Sequence, residues 1–415
     1  MIKKIGVLSL GCPRNLVDTE MILSALKAKG YKIVEVEDSQ IAIVNTCAFI
    51  KEAVQESLEV IKELISLKKE KRIKKIIVYG CLVERYKGKL LSYLKGVDAL
   101  IGRVSLNHGI RNYFLTPKHF SYLKICEGCV NFCSFCLIPR IKSKFESRPL
   151  QSIIEEVKFL DREGTKELNI VGQDISFYGK DISSELDLTK LLKEILKNTK
   201  NIRWIRLLYL YPHNITDELL ELINKEERIC KYMDLPLQHI NDRILKLMNR
   251  KTTSKYIYDL IKRIRKKIPS VFIRTTLMVG FPTETEKEFG ELLNFVKETK
   301  FERLGAFIYS KEEGSPASEL KPQVPFLVKQ KRFNQLMQVQ QEISSLVNKR
   351  FLGKTIEVLI DEKQNDYYLG RSIYDAPEVD GCVWVKSRRI LKVGSFIKVK
   401  IFDTLEYDLV GEAIL

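Results

Sequence analysis

Three short apolar segments near the start of the chain each end just before a cysteine. The segments are 5–10, 41–45 and 76–79, and the cysteines are Cys12, Cys47 and Cys81, hereafter the N-terminal trio. Amphipathic helical stretches separate the segments, which is the pattern of a parallel sheet covered by helices. Ligands of open α/β sheets gather beyond the carboxyl ends of the strands, so these three thiols are expected to converge. Three inert structural cysteines are the alternative, and recurrence at three strand ends argues against them.

The same alternation continues through the middle of the chain, after which the pattern changes. Further strands are predicted near Tyr122, 168–171, 202–208, 232–235, 272–278 and 304–308. Short alternating runs broken by glycine then follow, as in a small β-barrel. We therefore predict an α/β fold with an open parallel α/β sheet over residues 1–116, a partial β/α barrel over 117–350 and a small all-β barrel over 351–415. Gly11 and Gly80 are expected to permit tight turns beside a ligand.

Composition limits the classes of protein that fit. The chain has 415 residues, a net charge of +17 and nine cysteines, with no apolar run of membrane-spanning length and no export signal. We therefore expect a cytoplasmic protein without membrane contact, in which cysteines serve metal or redox chemistry rather than disulfides. The basic charge invites a nucleic-acid partner, although solvated helix faces also account for it. Residues 350–415 contain 10 Lys and Arg against 11 Asp and Glu, so this segment is not a basic arm.

A compact cysteine set follows the first predicted barrel strand. Cys129, Cys133 and Cys136, hereafter the barrel trio, form C-x3-C-x2-C, and Cys126 precedes them by three residues. A four-thiolate zinc site is the alternative interpretation. Zinc sites usually separate their cysteine pairs by a longer loop, however, and barrel enzymes place reactive groups where this string lies. Iron-sulfur cubanes usually take four thiolates, so either trio would leave one iron open to bind something that reacts.

The C-x3-C-aromatic-C string, with Phe135 before its last cysteine, resembles the radical S-adenosylmethionine (SAM) enzymes. Further strings over nearly the whole chain resemble the methylthiotransferases among them, and the C-terminal segment resembles a TRAM module. These strings are Ser9 to Glu20, Asn45 to Ile50, Gly80 to Tyr86, Glu127-Gly-Cys129, Gly172 to Asp174, Val279 to Glu286 and Tyr309 to Pro316. The chain departs from the family pattern at Ala48, where glycine is common, and at Cys126, where a small residue is usual.

The resemblance implies cofactors and roles for both trios. Each trio would hold a 4Fe–4S cluster. The open iron of the barrel cluster would bind SAM and cleave it to a 5′-deoxyadenosyl radical that takes hydrogen from the substrate. The N-terminal cluster would hold sulfur, which a second SAM methylates before transfer. An unactivated C–H bond is beyond ordinary acid–base side chains, so a cofactor is required in any case. An electron donor and a sulfur donor are implied as partners.

Five other residues are candidate contacts for SAM or substrate. Gln173 and Asp174 lie at a predicted strand end, where polar residues also cap the next helix. Phe281 and Pro282 could pack on the adenine or merely shape a turn. His239, one of four histidines, is a candidate for substrate choice, and a buried structural histidine is the alternative.

Within the family, four strings favour the member that modifies the β-carbon of an aspartate in ribosomal protein uS12, free or on the ribosome. The strings are Cys12 to Asp18, Gln173-Asp174, Pro236 to His239 and Asp375 to Gly381. The near-neutral C-terminal segment agrees, since a module that grips RNA should be basic. One alternative is the family member that methylthiolates a tRNA adenosine. A non-catalytic metal-binding, RNA-binding protein is the alternative from another class.

Overall fold

A five-stranded parallel sheet forms the N-terminal domain in the computed structural model, which describes residues 3–90, 94–102, 111–142 and 144–414. Its elements are β1 (Lys4–Ser9), α1 (Pro13–Ala28), β2 (Lys32–Ile33), β3 (Ile41–Thr46), α2 (Lys51–Lys69), β4 (Lys75–Gly80), α3 (Cys81–Tyr86) and β5 (Ala99–Ile101). The strand order is β2-β1-β3-β4-β5, and every pair is parallel. The three predicted strands are therefore present and adjacent, with the short strands β2 and β5 added at the edges.

Six parallel strands form the central domain. The strands are β6 (Phe120–Lys124), β9 (Glu167–Val171), β10 (Trp204–Leu207), β11 (Ile229–Gln238), β12 (Phe272–Val279) and β13 (Arg303–Ile308), and β7 (Cys126–Glu127) and β8 (Glu146–Ser147) make a separate pair. They pair in sequence order from β6 to β13, and among the described residues β6 and β13 do not pair with each other. The predicted partial β/α barrel is confirmed.

Helices follow most barrel strands and cover the outside of the sheet. They are α4 (Ile138–Ile141), α5 (Leu150–Glu163), α6 (Leu188–Asn198), α7 (Asp217–Lys225), α8 (Asp242–Leu247), α9 (Ser254–Lys267), α10 (Glu286–Thr299) and α11 (Phe326–Lys349). A capping box of Thr285 and Glu288 begins α10. On α9, Ile257 and Ile264 are buried while Lys262 is exposed. The basic residues of this helix therefore form a solvated face. No helix in the described parts of the chain is long and apolar enough to cross a membrane.

The C-terminal domain is a closed five-stranded barrel, as predicted. Its strands are β14 (Thr355–Gln364), β15 (Tyr367–Ser372), β16 (Val383–Lys386), β17 (Phe396–Thr404) and β18 (Leu409–Ile414), in the order β14-β15-β16-β18-β17. Closure leaves no free strand edge, which protects a small sheet from pairing with other chains.

An acidic loop between β15 and β16, residues 375–381, faces the central domain. Asp375 forms a buried ion pair with Arg303 of β13 at 2.6 Å. The hydroxyl of Tyr232 donates to Asp380 at 2.6 Å, and the hydroxyl of Tyr122 donates to Glu378 at 2.9 Å. The loop therefore seals the C-terminal barrel against one end of the strands β6, β11 and β13.

Buried charges also join the N-terminal domain to the central one. Arg111, which is completely buried, pairs with Glu20 of α1 and with Glu156 of α5. Glu312, which follows β13, pairs with Arg85 of α3 at 2.8 Å. These contacts hold the carboxyl edge of the N-terminal sheet against the central strands, where the candidate site lies.

Candidate active site

The N-terminal trio lies at one edge of the first sheet. Cys12 precedes α1, Cys47 follows β3 directly, and Cys81 is the first residue of α3. Gly11 has φ +89°, and a Cβ on it would lie 3.0 Å from the sulfur of Cys47, so only glycine lets the Cys12 loop approach this closely. Gly80 has φ +100°, as its predicted turn requires.

A network of buried amides fixes the loops that carry these thiols. The side chain of Asn15 donates to the carbonyls of Leu10 and Thr46 at 3.0 and 3.2 Å. Asn45 donates to the carbonyl of Asn15 at 2.8 Å, and Thr46 donates to that of Tyr79 at 2.7 Å. Asn15 at the start of α1 thus binds the ends of β1 and β3, and Thr46 binds β3 to β4, so the network holds three strand ends in a fixed relation.

Arg14 joins this trio to the central domain. Its Nε donates to the sulfur of Cys12 at 3.3 Å, and its Nη1 donates to the carbonyl of Gly172, beyond β9, at 3.2 Å. The guanidinium also stacks on the ring of Tyr209, 4.7 Å from its centroid. One side chain therefore touches both domains where their strand ends meet.

The three N-terminal thiols differ in acidity. Burial raises the pKa of Cys47, and burial raises that of Cys81 to about 11 against the opposing charge of Lys142. Burial alone would also raise the pKa of Cys12, but the charge and hydrogen bond of Arg14, with two backbone N–H groups, bring it below its ordinary value. Cys12 is thus the member of the trio held closest to the thiolate form, which is the form that binds metal.

Hydrogen-bond donors face all three sulfurs of the barrel trio, which lies between β7 and α4. The backbone N–H of Asn131 donates to Cys129 at 3.4 Å, and that of Ile138 donates to Cys136 at 3.4 Å. Arg250 reaches the sulfur of Cys133 at 3.8 Å and stacks on the ring of Tyr211, 4.3 Å from its centroid. Donors aimed at sulfur suit thiolates, and such hydrogen bonds tune iron-sulfur clusters. The loop therefore fits a cluster held by three cysteines.

Cys126 is buried against the segment that follows β9. It is 1% exposed, its thiol lies 3.7 Å from the carbonyl oxygen of Asp174, and a Cβ on Gly172 would lie 2.4 Å from its sulfur. Burial raises its pKa well above the ordinary value. Among the described residues no group of three His, Cys, Asp or Glu side chains is arranged to hold a single metal ion. The thiol of Cys126 is thus enclosed beneath Gly172, and the number of cysteines that bind metal in this loop stays a prediction, which the iron analysis below tests.

Replacing Cys126 by alanine is expected to leave the iron content of the reconstituted protein unchanged, at the cost of about 1 kcal/mol of stability from the small cavity. Cys129→Ala is the matched control and should lower the iron content by about four atoms, one cubane. Iron and sulfide analysis after anaerobic reconstitution measures both. Loss of iron in Cys126→Ala at normal folding would show that this thiol is a ligand.

Asp174 and Gln173 lie beside the barrel trio, just after β9. Asp174 accepts from the N–H of Ser176 at 3.0 Å, as a helix cap, and from the amide of Asn131 at 2.7 Å. It therefore braces the loop that carries the cysteines. Gln173 donates to Glu127 at 3.3 Å, while its own buried carbonyl oxygen has no partner among the described residues. That oxygen is enclosed by protein, so the side chain of Gln173 leaves one buried acceptor without a donor.

Phe281, Pro282 and His239 are buried side chains of the central domain. Phe281 is completely buried, and its ring meets that of Tyr309 edge-on with centroids 5.5 Å apart. His239 is also completely buried, and its Nδ1 accepts from the N–H of Asn241 at 3.0 Å. Burial lowers the pKa of His239 to about 3, so its ring is neutral. The preceding residue, Gln238, has φ +73° and lines a groove instead.

That groove, of about 760 Å³, opens beside the barrel trio. Phe49, two residues beyond Cys47, lines it from the N-terminal domain, and Phe135, within the barrel trio, lines it from the loop. Met278 of β12 and Ile308 of β13 form its floor. The size and the mostly apolar lining are those of a small-molecule site. The described lining includes none of the six cysteines, but Phe49 and Phe135 belong to the two loops that carry Cys47 and Cys136, so a ligand in the groove would contact both loops.

Several contributors to this site carry no signal that sequence reasoning recognised. Arg14 and Arg250 contact thiols from different parts of the chain, and Asn131 binds Cys129 while it is held by Asp174. Asn131 could have been found, because it lies inside the cysteine string. Arg250 could not, because 114 residues separate it from Cys136.

Three family models match successive parts of the chain. The Radical SAM superfamily matches residues 123–296, the Uncharacterized protein family UPF0004 matches 4–102, and the TRAM domain matches 352–414. Among solved structures, the radical SAM methyltransferase TsrM from Kitasatospora setae gives a TM-score of 0.53 at 13% identity, over 76% of this chain and 75% of that one. The cobalamin-dependent enzyme OxsB gives 0.52 at 10% identity, over 82% and 56%. Fold and cysteine loop together define a radical SAM enzyme.

Relatives that match over their full length show which family of radical SAM enzymes the chain belongs to. The protein named ribosomal protein uS12 methylthiotransferase RimO in Thermoanaerobacter sp. (strain X514) is 46% identical, over 99% of this chain and 100% of the relative. The protein of that name in Aquifex aeolicus (strain VF5) is 45% identical, over 98% and 96%. This chain belongs to the RimO family of radical SAM methylthiotransferases. It is therefore an enzyme, the family implies SAM and a 4Fe–4S cluster, and the non-catalytic alternative is wrong.

Proposed function

We propose that this enzyme transfers a methylthio group to the β-carbon of an aspartate in ribosomal protein uS12, using SAM and two 4Fe–4S clusters. The observation that carries the proposal is the presence of two separate thiol trios, on two domains, beside one groove. A single cluster would need only the barrel trio. The full-length relatives named for this activity support the choice of substrate.

The two trios would divide the chemistry between them. When bound, the barrel cluster and SAM supply the hydrogen-abstracting radical, and the N-terminal cluster carries the sulfur that is methylated and transferred. The protein's part is positioning. The interdomain ion pairs of Arg111 and Glu312 hold the trios at a fixed separation, so that a substrate carbon activated at one lies near the other. An electron donor and a sulfur donor must act with the enzyme.

The groove presents mostly apolar surface to a bound substrate. Phe49, Phe135 and Met278 present apolar surface there, while Gln238 and Thr276 add a few polar groups. A radical on carbon reacts with whatever it meets, so a dry and closely fitting site protects it until transfer.

The tRNA enzymes of the same family are the second candidate. Asp375, Glu378 and Asp380 of the C-terminal domain are occupied by contacts with the central domain, so the near-neutral charge of this segment understates how basic its open surface is. The exposed loop after β16 carries Arg388 and Arg389. Such a basic loop could contact either tRNA or ribosomal RNA.

A direct assay separates the two candidates. The reconstituted enzyme is incubated with reductant, sulfide, SAM and either uS12 or tRNA, and both products are weighed by mass spectrometry. We expect a methylthio mass on an aspartate of uS12 and none on tRNA. Reconstitution should yield about eight irons per chain. Methylthio mass on tRNA alone would overturn the assignment of substrate, and about four irons would overturn the second cluster.

A further inference from the structure

Arg14 is an arginine without a carboxylate partner in a site made of thiols. It is half-buried, and none of the described Asp or Glu side chains forms an ion pair with it. The fully buried arginines of this chain do not share that property. The buried arginines of the described chain all pair with a carboxylate, and they are Arg111, Arg148, Arg206, Arg303, Arg332 and Arg371.

One terminal nitrogen of Arg14 is unpartnered and accessible. Its Nε and Nη1 are taken by Cys12 and by the carbonyl of Gly172, whereas Nη2 has no partner among the described residues and is not enclosed. Arg250, which holds Cys133 in a similar way, differs on this point. Both of its terminal nitrogens are used, and its spare Nε is sealed inside the protein. Arg14 is therefore the one of these two that can receive a further ligand.

Arg14 also lies where the two trios approach each other. It touches Cys12 directly, and its stack on Tyr209 fixes the plane of the guanidinium. Its Nη1 contact is with Gly172, two residues before Asp174, and the carboxylate of Asp174 holds Asn131 in the loop of the barrel trio. The guanidinium thus contacts a thiol of the N-terminal trio and the strand end that supports the barrel trio, so a ligand on Nη2 would lie near both cysteine loops.

We propose that Arg14 binds the side-chain carboxylate of the substrate aspartate and so holds the adjacent β-carbon between the two cysteine trios. The inference rests on the proposed function. In aspartate the carboxylate is bonded directly to the carbon that reacts, so one contact fixes the reacting atom to within a bond length. A guanidinium matches a carboxylate in charge and in planar geometry, and the partly buried setting strengthens the contact. An adenine base carries no such anion, so Arg14 would also favour a protein substrate.

The test measures binding with SAM-loaded, reconstituted enzyme and no reductant, so that no turnover occurs. The ligands are uS12 and a uS12 variant with asparagine at the aspartate that the wild-type enzyme modifies. Wild-type enzyme should bind the aspartate form roughly 10- to 100-fold more tightly than the asparagine form. Arg14→Gln should bind both forms equally, and Arg14→Lys should recover part of the preference because it keeps the charge. Iron content and SAM affinity are measured on every variant.

Each result bears on the inference separately from the proposed function. Equal binding of both uS12 forms by wild-type enzyme would overturn the inference even if Arg14→Gln failed to load clusters. A preference that survives in Arg14→Gln would overturn it too, as would a loss confined to SAM affinity, which would assign Arg14 to the cofactor. If uS12 is never modified, the proposed function fails. If uS12 is modified at an aspartate without any such preference, only the inference fails.

Discussion

An enzyme in which Cys12, Cys47 and Cys81 are all replaced by alanine is expected to cleave SAM and to transfer no methylthio group. The hydrogen-bond donors to the barrel trio are Asn131, Ile138 and Arg250, all in the central domain, so the barrel cluster should still assemble. The iron content should fall from about eight to about four atoms per chain. Product mass and 5′-deoxyadenosine, measured in the same reaction, separate the two activities.

The matched control replaces Cys129, Cys133 and Cys136 instead. That variant should lose both activities, since no hydrogen can be removed from the substrate without the barrel cluster. Equal loss of SAM cleavage in the two variants, with folding intact, would contradict the division of work between the trios. Methylthio transfer by the variant that lacks the N-terminal trio would contradict the assignment of sulfur transfer to that trio.

Asp375→Ala is expected to lower the free energy of unfolding by about 3–5 kcal/mol, because it leaves the buried guanidinium of Arg303 without its partner. Both side chains are less than a tenth exposed, and Asp375 also accepts from the hydroxyl of Ser372, the last residue of β15. Urea unfolding followed by tryptophan fluorescence measures the change. Trp204 of β10 is a suitable reporter, since its ring meets that of Phe396 across the same seam, with centroids 4.8 Å apart.

Two variants make this prediction specific. Glu412→Ala removes a pair with Arg388 that is exposed and 3.9 Å long, and it should change stability by less than about 0.5 kcal/mol. The double variant Arg303→Met/Asp375→Leu removes both charges together and should recover most of the loss. A loss in Asp375→Ala no larger than in Glu412→Ala would show that the acidic loop does not hold the domains together.

Local patterns predicted much of this molecule. The three strands that end before Cys12, Cys47 and Cys81, the six central strands and the closed C-terminal barrel all follow from hydrophobic periodicity and turn residues, which act over a few positions. The assignment of a radical SAM enzyme needed only the spacing of the barrel trio and the strings around it.

Contacts between distant segments could not be predicted in this way. The string from Asp375 to Gly381 was informative about family membership, yet nothing in it shows that its acids face Arg303 and Tyr232. The spacing of Cys126 from the barrel trio was compatible with a fourth metal ligand as well as with a buried cysteine. Only the close approach of Gly172 shows where that thiol lies. Side-chain direction at such places depends on which strands become neighbours, which a single local pattern does not contain.

The buried charges at the seam between the central and C-terminal domains limit how freely such modules can be exchanged. A chimera that takes its C-terminal barrel from another protein would have to bring acids at the positions of Asp375 and Asp380. Without them, Arg303 would remain buried and unmatched, and Arg274 would keep only Asp234 of its two carboxylate partners. Recombination would then favour inheritance of the two domains as one unit. This holds even though the central domain has its own continuous sheet and the C-terminal domain its own closed barrel.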